Sequence, residues 1–126
     1  MSTKRMGRQT VALAAPPSVV SFANIGGKFE GNGPLADSFD ELNEDSFFGQ
    51  KTWEQGESVM QKRVLENALK KAGLESKQLD YILAGDLLNQ CIGSSFALRD
   101  FGIPFYGLYG ACSTMGESLS LAALII

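Results

Sequence analysis

Histidine is absent from this chain of 126 residues, and cysteine occurs only twice. Without histidine, the usual general base for a reactive thiol cannot come from the chain itself, and a zinc site is not expected. No apolar run approaches the roughly 20 residues that span a bilayer, and no signal-peptide core follows the basic start. We therefore expect a soluble protein of a cytoplasm-like compartment, which also suits two cysteines that have no framework spacing.

The chain also has little excess of charge of either sign, since its formal net charge is -3. Lys4, Arg5 and Arg8 are too few to predict a nucleic-acid surface, so no nucleic-acid partner is expected. The acidic residues of segment 37–45 lack the alternating oxygens and the central glycine of an EF-hand, so we predict a solvated acidic face and no metal site. A hydrophobic content of 44% is typical of a globular protein.

The N-terminal half has weak structural signals. Residues 1–8 are predicted to be a flexible tail, and residues 9–126 one partial domain. Gln9–Leu13 and Ser18–Ile25 favour β-structure, while the Gly-, Asn- and Pro-rich segment 26–50 predicts a long loop with one helical turn around Phe39–Leu42.

The second half has the stronger patterns. Thr52–Ala72 predicts a helix that has Thr52 as its N-cap and ends at Gly73. It is followed by predicted elements in the order strand, helix, strand, helix: 80–84, 89–101, the segment after Pro104, and 115–126. This order predicts an α/β fold of βαβαβ type, with a mainly parallel sheet covered by helices. The last helix is apolar on nearly every face, so we expect an incomplete domain, truncated within the helix that follows Cys112.

Two polar positions follow neighbouring predicted strands. Ligands gather at the carboxyl ends of parallel strands, where Asp86 and Cys112 are expected to lie. A thiol at a helix start faces unpaired N–H groups, which favour the thiolate and suit Cys112 to nucleophilic attack. The alternatives are that Cys112 fills a tight turn and that Asp86 and Asn89 cap a helix. Cys91 is interpreted as a small core residue.

Three blocks of sequence carry a family resemblance. Gly110-Ala111-Cys112 resembles the nucleophile position of the thiolase and β-ketoacyl-synthase III superfamily. Within it, the chain resembles the stage V sporulation protein AD family through Gly31–Leu35, Ala84–Gln90, and Ile103–Phe105 with Gly107–Met115. The resemblance implies a thiolase-like layered fold, of which this chain would be the N-terminal part.

The resemblance also implies a function. Members of this family bind dipicolinic acid as the thiolase-like subunit of a spore membrane system that takes up calcium dipicolinate and releases it at germination. The implied partners are dipicolinic acid and the other subunits of the spore membrane channel, with peripheral association at the spore inner membrane; a homodimer is left open. No cofactor is implied beyond dipicolinate as ligand, with or without Ca²⁺. The expected ligand-binding residues are Ser113, Thr114, Asp86, Asn89 and Gln90.

An acyltransferase of the β-ketoacyl-synthase III type, acting through a Cys112 thioester, is the alternative. Ser113-Thr114-Met115 stands where those enzymes have small residues after the cysteine. These larger side chains would narrow an acyl tunnel, and the hydroxyl groups of Ser113 and Thr114 could donate hydrogen bonds to an anion. The relatives' second half supplies the histidine. A binding protein is therefore favoured over an enzyme, with Cys112 at a vestigial nucleophile position. Asp86 would face a carboxylate only through a proton or Ca²⁺.

Overall fold

Within residues 3–88 and 90–126, which the computed structural model describes, short strands alternate with helices. The strands are β1 (Thr3–Met6), β2 (Thr10–Leu13), β3 (Ile25–Gly26), β4 (Glu41–Leu42), β5 (Ile82–Ala84) and β6 (Phe105–Gly107). The α-helices are α1 (Lys28–Gly31), α2 (Trp53–Ala72), α3 (Ile92–Leu98) and α4 (Thr114–Ile125). Single 3-10 turns lie at Ala36–Ser38, Ser76–Gln78, Arg99–Phe101 and Ala111–Ser113. The predicted α/β class is confirmed.

The described strands associate in three pairs. β1 and β2 are antiparallel, whereas β3 with β4 and β5 with β6 are parallel. In the last pair Ile82 lies opposite Phe105 and Ala84 opposite Gly107. A parallel pair needs a crossover connection, which α3 provides between β5 and β6.

Helix α2 confirms the clearest prediction from the sequence. Thr52 Oγ1 accepts a hydrogen bond from the Gln55 N–H at 3.3 Å, which satisfies one of the free donors in the first turn. At the other end Gly73 has φ 68°, a left-handed conformation that costs glycine little, and the Leu74 N–H bonds back to the Leu69 carbonyl.

The hydrophobic core lies where α3 packs on the β5–β6 pair. Ile82, Ala97 and Leu98 are buried there. Partly buried apolar residues surround them: Leu65, Ala84, Phe101, Ile103 and Phe105. This core fixes the position of α3 and therefore of the loop that connects it to β5.

The N-terminal segment differs from its prediction. Where the sequence predicts a flexible tail over residues 1–8, residues 3–13 form a hairpin, because Gly7 takes φ 65° in the turn and lets β1 fold back on β2. The strand predicted over Ser18–Ile25 is wrong except at its last residue. Ser21 Oγ instead donates to the Ala68 carbonyl at 2.9 Å, which holds this segment against α2.

Two further boundaries were predicted wrongly. The helical turn expected at Phe39–Leu42 is replaced by β4, since Glu41 and Leu42 pair with Ile25 and Gly26. The helix expected over Asn89–Phe101 starts only at Ile92, because Gln90 and Cys91 have φ of 50° and 70°. Asn89 itself lies outside the described residues.

Candidate functional site

The carboxyl ends of β5 and β6 meet at one edge, as the sequence predicts. The Leu108 N–H donates to the Ala84 carbonyl at 2.9 Å, so the pairing continues to the last residue of β5. Gly85 and Asp86 directly follow β5, and the turn leading to α4 follows β6. Asp86 and the Cys112 segment are thereby placed after neighbouring strands.

Gly85 permits a close approach at this edge. A Cβ atom on Gly85 would overlap the Leu108 carbonyl oxygen and would lie 3.1 Å from both Oγ1 and Cγ2 of Thr114. Only a residue without a side chain lets the two strand ends and the first residue of α4 meet here.

Asp86 caps helix α3. Its carboxylate is buried, with Oδ1 accepting from the Cys91 N–H at 3.0 Å and Oδ2 accepting from the Ser94 N–H at 3.0 Å. The Ser94 hydroxyl adds a bond of 3.2 Å to the same oxygen. The capping role that the sequence left as an alternative is therefore present, and these bonds compensate for burial of the charge.

Glu57 is a second carboxylate at this loop, and sequence reasoning missed it. From α2 it accepts the Leu87 N–H at 2.9 Å and the Leu88 N–H at 3.4 Å. No local pattern marks this role, because Glu57 lies thirty residues before Leu87 in the sequence. Glu57 and Asp86 together anchor both sides of the loop between β5 and α3.

Gln90 and Cys91 occupy the end of this loop. Gln90 is exposed, whereas Cys91 is buried and its Sγ lies 3.2 Å from the Leu108 carbonyl oxygen. Burial, followed by the negative charge of Asp86, raises the pKa of the Cys91 thiol. Its interpretation as a core residue is confirmed, and the raised pKa makes it a poor nucleophile.

Cys112 lies in the 3-10 turn before α4 and is exposed. The preceding residue, Ala111, has φ 45°, which is unusual for a residue that has a Cβ. The helix proper starts two residues later, at Thr114. Cys112 thus lies at the predicted strand-to-helix turn, on its solvent side.

The two hydroxyls that follow Cys112 have different surroundings. Ser113 Oγ lies 2.9 Å from the Gly110 carbonyl oxygen and 2.8 Å from Glu117 Oε1, so its proton already has acceptors. Thr114 Oγ1 is buried and has no hydrogen-bond partner among residues 3–88 and 90–126. A buried hydroxyl without a partner costs about 1–3 kcal/mol, which makes Thr114 the unexplained polar group of this edge.

Thr114 lines an open cavity of about 440 Å³. Apolar residues of α2 and β5 form most of its wall, and Met115 and Gly85 flank Thr114. The described part of the chain has no group of three or more His, Cys, Asp or Glu side chains that could hold a metal ion. It also has no helix of sufficient length and apolarity to cross a membrane.

Comparison with known proteins gives a consistent result. The sequence profile of the stage V sporulation protein AD family matches residues 7–126. The chain is similar to stage V sporulation protein AD of Bacillus subtilis (strain 168), with 35% identity over 123 residues. The match covers 98% of this chain and 36% of the length of that relative.

Proposed function

The chain belongs to the stage V sporulation protein AD family, and from this premise we propose that it binds dipicolinic acid in the spore membrane system that takes up calcium dipicolinate. The family points to a role in sporulation. The proposed partners are the other subunits of the spore membrane channel, with which the protein would associate at the membrane periphery. The same assembly would release dipicolinate at germination.

The unpartnered hydroxyl of Thr114 is the observation that carries the ligand assignment. It is buried at the first residue of α4, where the helix dipole favours an anion, and it borders an apolar cavity. A flat aromatic dicarboxylate matches these properties, because one carboxylate can accept the hydroxyl proton while the ring covers apolar wall. The cavity of about 440 Å³ is within the usual range for small-ligand sites.

The other predicted ligand residues differ in how readily they could bind dipicolinate. Gln90 is exposed and its amide can donate to a second carboxylate. Ser113 would have to give up its hydrogen bond to Glu117 before its hydroxyl could donate to the ligand. The negative carboxylates of Glu117 and Asp86 would repel dipicolinate unless a Ca²⁺ ion lay between the ligand and these side chains. We therefore expect Ca²⁺ to strengthen dipicolinate binding. We do not extend the proposal to acyl transfer, since the chain contains no histidine to act as base for Cys112.

Isothermal titration of dipicolinate into the purified chain, with and without Ca²⁺, tests the proposal. Thr114→Val removes the hydroxyl at nearly constant volume, and Thr114→Ser keeps it. A hydrogen bond to a charged group contributes about 1.5–3 kcal/mol, so Thr114→Val should weaken binding by roughly 10- to 100-fold and Thr114→Ser by much less.

Ser120→Ala is the matched control, because it removes an exposed hydroxyl that donates to the Gly116 carbonyl of the same helix at 2.7 Å. In the presence of Ca²⁺, benzene-1,3-dicarboxylate should bind more weakly than dipicolinate, because it lacks the ring nitrogen. Absence of saturable heat, or equal affinity of Thr114→Val and the wild type, would contradict the proposal.

A further inference from the structure

Charge is distributed unevenly along this chain. The first 29 residues contain four basic residues, Lys4, Arg5, Arg8 and Lys28, and no acidic one. The remaining 97 residues contain seven basic and fourteen acidic residues, so the two parts have formal charges of +4 and -7. Such an asymmetry gives the molecule one end that attracts anions and a body that repels them.

The hairpin β1–β2 holds three of these cations. Lys4, Arg5 and Arg8 are exposed, and none of them takes part in an ion pair within the described residues. The Arg5 guanidinium donates to the Arg8 backbone carbonyl at 2.6 Å, which keeps the Arg5 side chain near the turn that contains Arg8. By contrast, basic residues of α2 are neutralised by nearby carboxylates, in the pairs Lys62–Asp100, Arg63–Glu41 and Lys71–Asp40.

Apolar side chains accompany the cations. Met6 is 53% exposed and Val11 is 49% exposed. The register places Arg5 opposite Val11, and alternation along β1 places Lys4 and Met6 together on the other face. Each face of the ribbon therefore presents one cation beside one exposed apolar side chain.

We propose that the β1–β2 hairpin docks on an anionic lipid bilayer. Lys4, Arg5 and Arg8 would contact lipid phosphates, while Met6 and Val11 enter the boundary between headgroups and acyl chains. A nucleic acid would use the cations alone and leave both apolar side chains in water. A two-stranded ribbon is only marginally stable by itself, so a surface that covers it also stabilises it. The negative charge of the rest of the chain orients the molecule with the hairpin toward the bilayer.

Co-sedimentation with vesicles tests this docking surface. The full chain is mixed with vesicles of phosphatidylcholine containing 30% phosphatidylglycerol, and with phosphatidylcholine alone. Each basic residue near an anionic surface strengthens binding roughly fivefold, so Lys4→Gln/Arg5→Gln/Arg8→Gln should bind about 100-fold more weakly. The control Lys51→Gln/Lys70→Gln/Lys77→Gln has the same net charge and alters exposed lysines elsewhere, so it should change binding less than threefold.

Two further measurements keep the outcome decisive if a variant loses its hairpin. Wild-type binding should weaken severalfold between 0.05 and 0.3 M NaCl, because exposed charges are screened within a Debye length. Met6→Ser/Val11→Ser keeps all three cations but removes the apolar surface that would leave water, so it should reduce binding to the anionic vesicles about tenfold. Equal binding to both vesicle types, or equal loss in the two charge variants, would overturn the proposal. So would binding of duplex DNA through the same three cations in the absence of vesicle binding.

Discussion

Gly85→Ala is predicted to destabilise the protein strongly, whereas Gly116→Ala is predicted to stabilise it. The two variants add the same methyl group. At Gly85 the methyl group overlaps the Leu108 carbonyl oxygen and lies 3.1 Å from Thr114, while at Gly116 nothing lies within 4 Å. Because the chemical change is the same, the difference in the free energy of unfolding between the two variants reflects the steric overlap at the edge of β5 and β6.

The expected loss of stability in Gly85→Ala follows from the displacement that the new methyl group forces on the Leu108 carbonyl. Leu108 is tied to β5 by its N–H bond to the Ala84 carbonyl at 2.9 Å, so its carbonyl can retreat only by separating the strand ends. Overpacking of this kind costs about 1–3 kcal/mol, and weakening a backbone hydrogen bond about 1 kcal/mol more. We expect Gly85→Ala to lower the free energy of unfolding by about 2–4 kcal/mol. Gly116→Ala, in the first turn of α4, should raise it by up to about 0.5 kcal/mol.

Urea denaturation followed by far-UV circular dichroism provides the assay, with thermal melts as a second measurement. For a chain of this size Gly85→Ala should lower Tm by about 10 °C or more, and Gly116→Ala should raise it by a few degrees. The reasoning is refuted if Gly85→Ala unfolds within 0.5 kcal/mol of the wild type, or if both substitutions shift stability in the same direction.

Three other predictions test separate features. Thr52→Ala should lower the free energy of unfolding by about 1 kcal/mol through loss of the bond to the Gln55 N–H, and an unchanged urea midpoint would show that the cap contributes nothing. Hydrogen bonds from the N–H groups of Phe47 and then of Gly49 lower the pKa of the Asp45 carboxyl group in the folded protein. The ionised carboxylate therefore stabilises the folded state above the unfolded pKa, and this stability is lost as the pH falls through the lowered, folded-state pKa. The Tm difference between wild type and Asp45→Asn should therefore be largest near pH 7 and should shrink toward pH 3; a constant difference would contradict this assignment. Iodoacetamide should alkylate Cys112 at least tenfold faster than Cys91 in the native protein, since Cys91 is buried and has a raised pKa; mass spectrometry with equal adducts at both sites would disprove the burial.

Local signals made the second half of the chain predictable. The cap Thr52, the apolar period and the stop at Gly73 lie within one segment and specify α2 without tertiary information. The placement of Asp86 and Cys112 at one edge followed from the alternation of strands and helices, which β5, α3 and β6 confirm.

The remaining errors arise where specific hydrogen bonds, backbone conformation or strand pairing override the local hydrophobic period. The start of α3 depends on the Asp86 carboxylate and on left-handed backbone at Gln90 and Cys91, so a helical period alone placed it too early. Glu57 lies thirty residues before the loop it anchors, a separation that no sequence pattern expresses. β4 forms because Glu41 has a pairing partner at Ile25.

Parallel pairing of β5 and β6 has a consequence for the order of folding. Ile82 pairs with Phe105 across a whole crossover, whereas the hairpin strands pair Thr3 with Leu13. Closing the longer loop costs more chain entropy, and the cost is recovered only after α3 has packed on both strands. The edge that holds Gly85 and Thr114 should therefore form late in folding. A fluctuation that detaches α3 alone would open this edge while α2 stays intact, so amide hydrogens of the loop between β5 and α3 should exchange faster than those of α2.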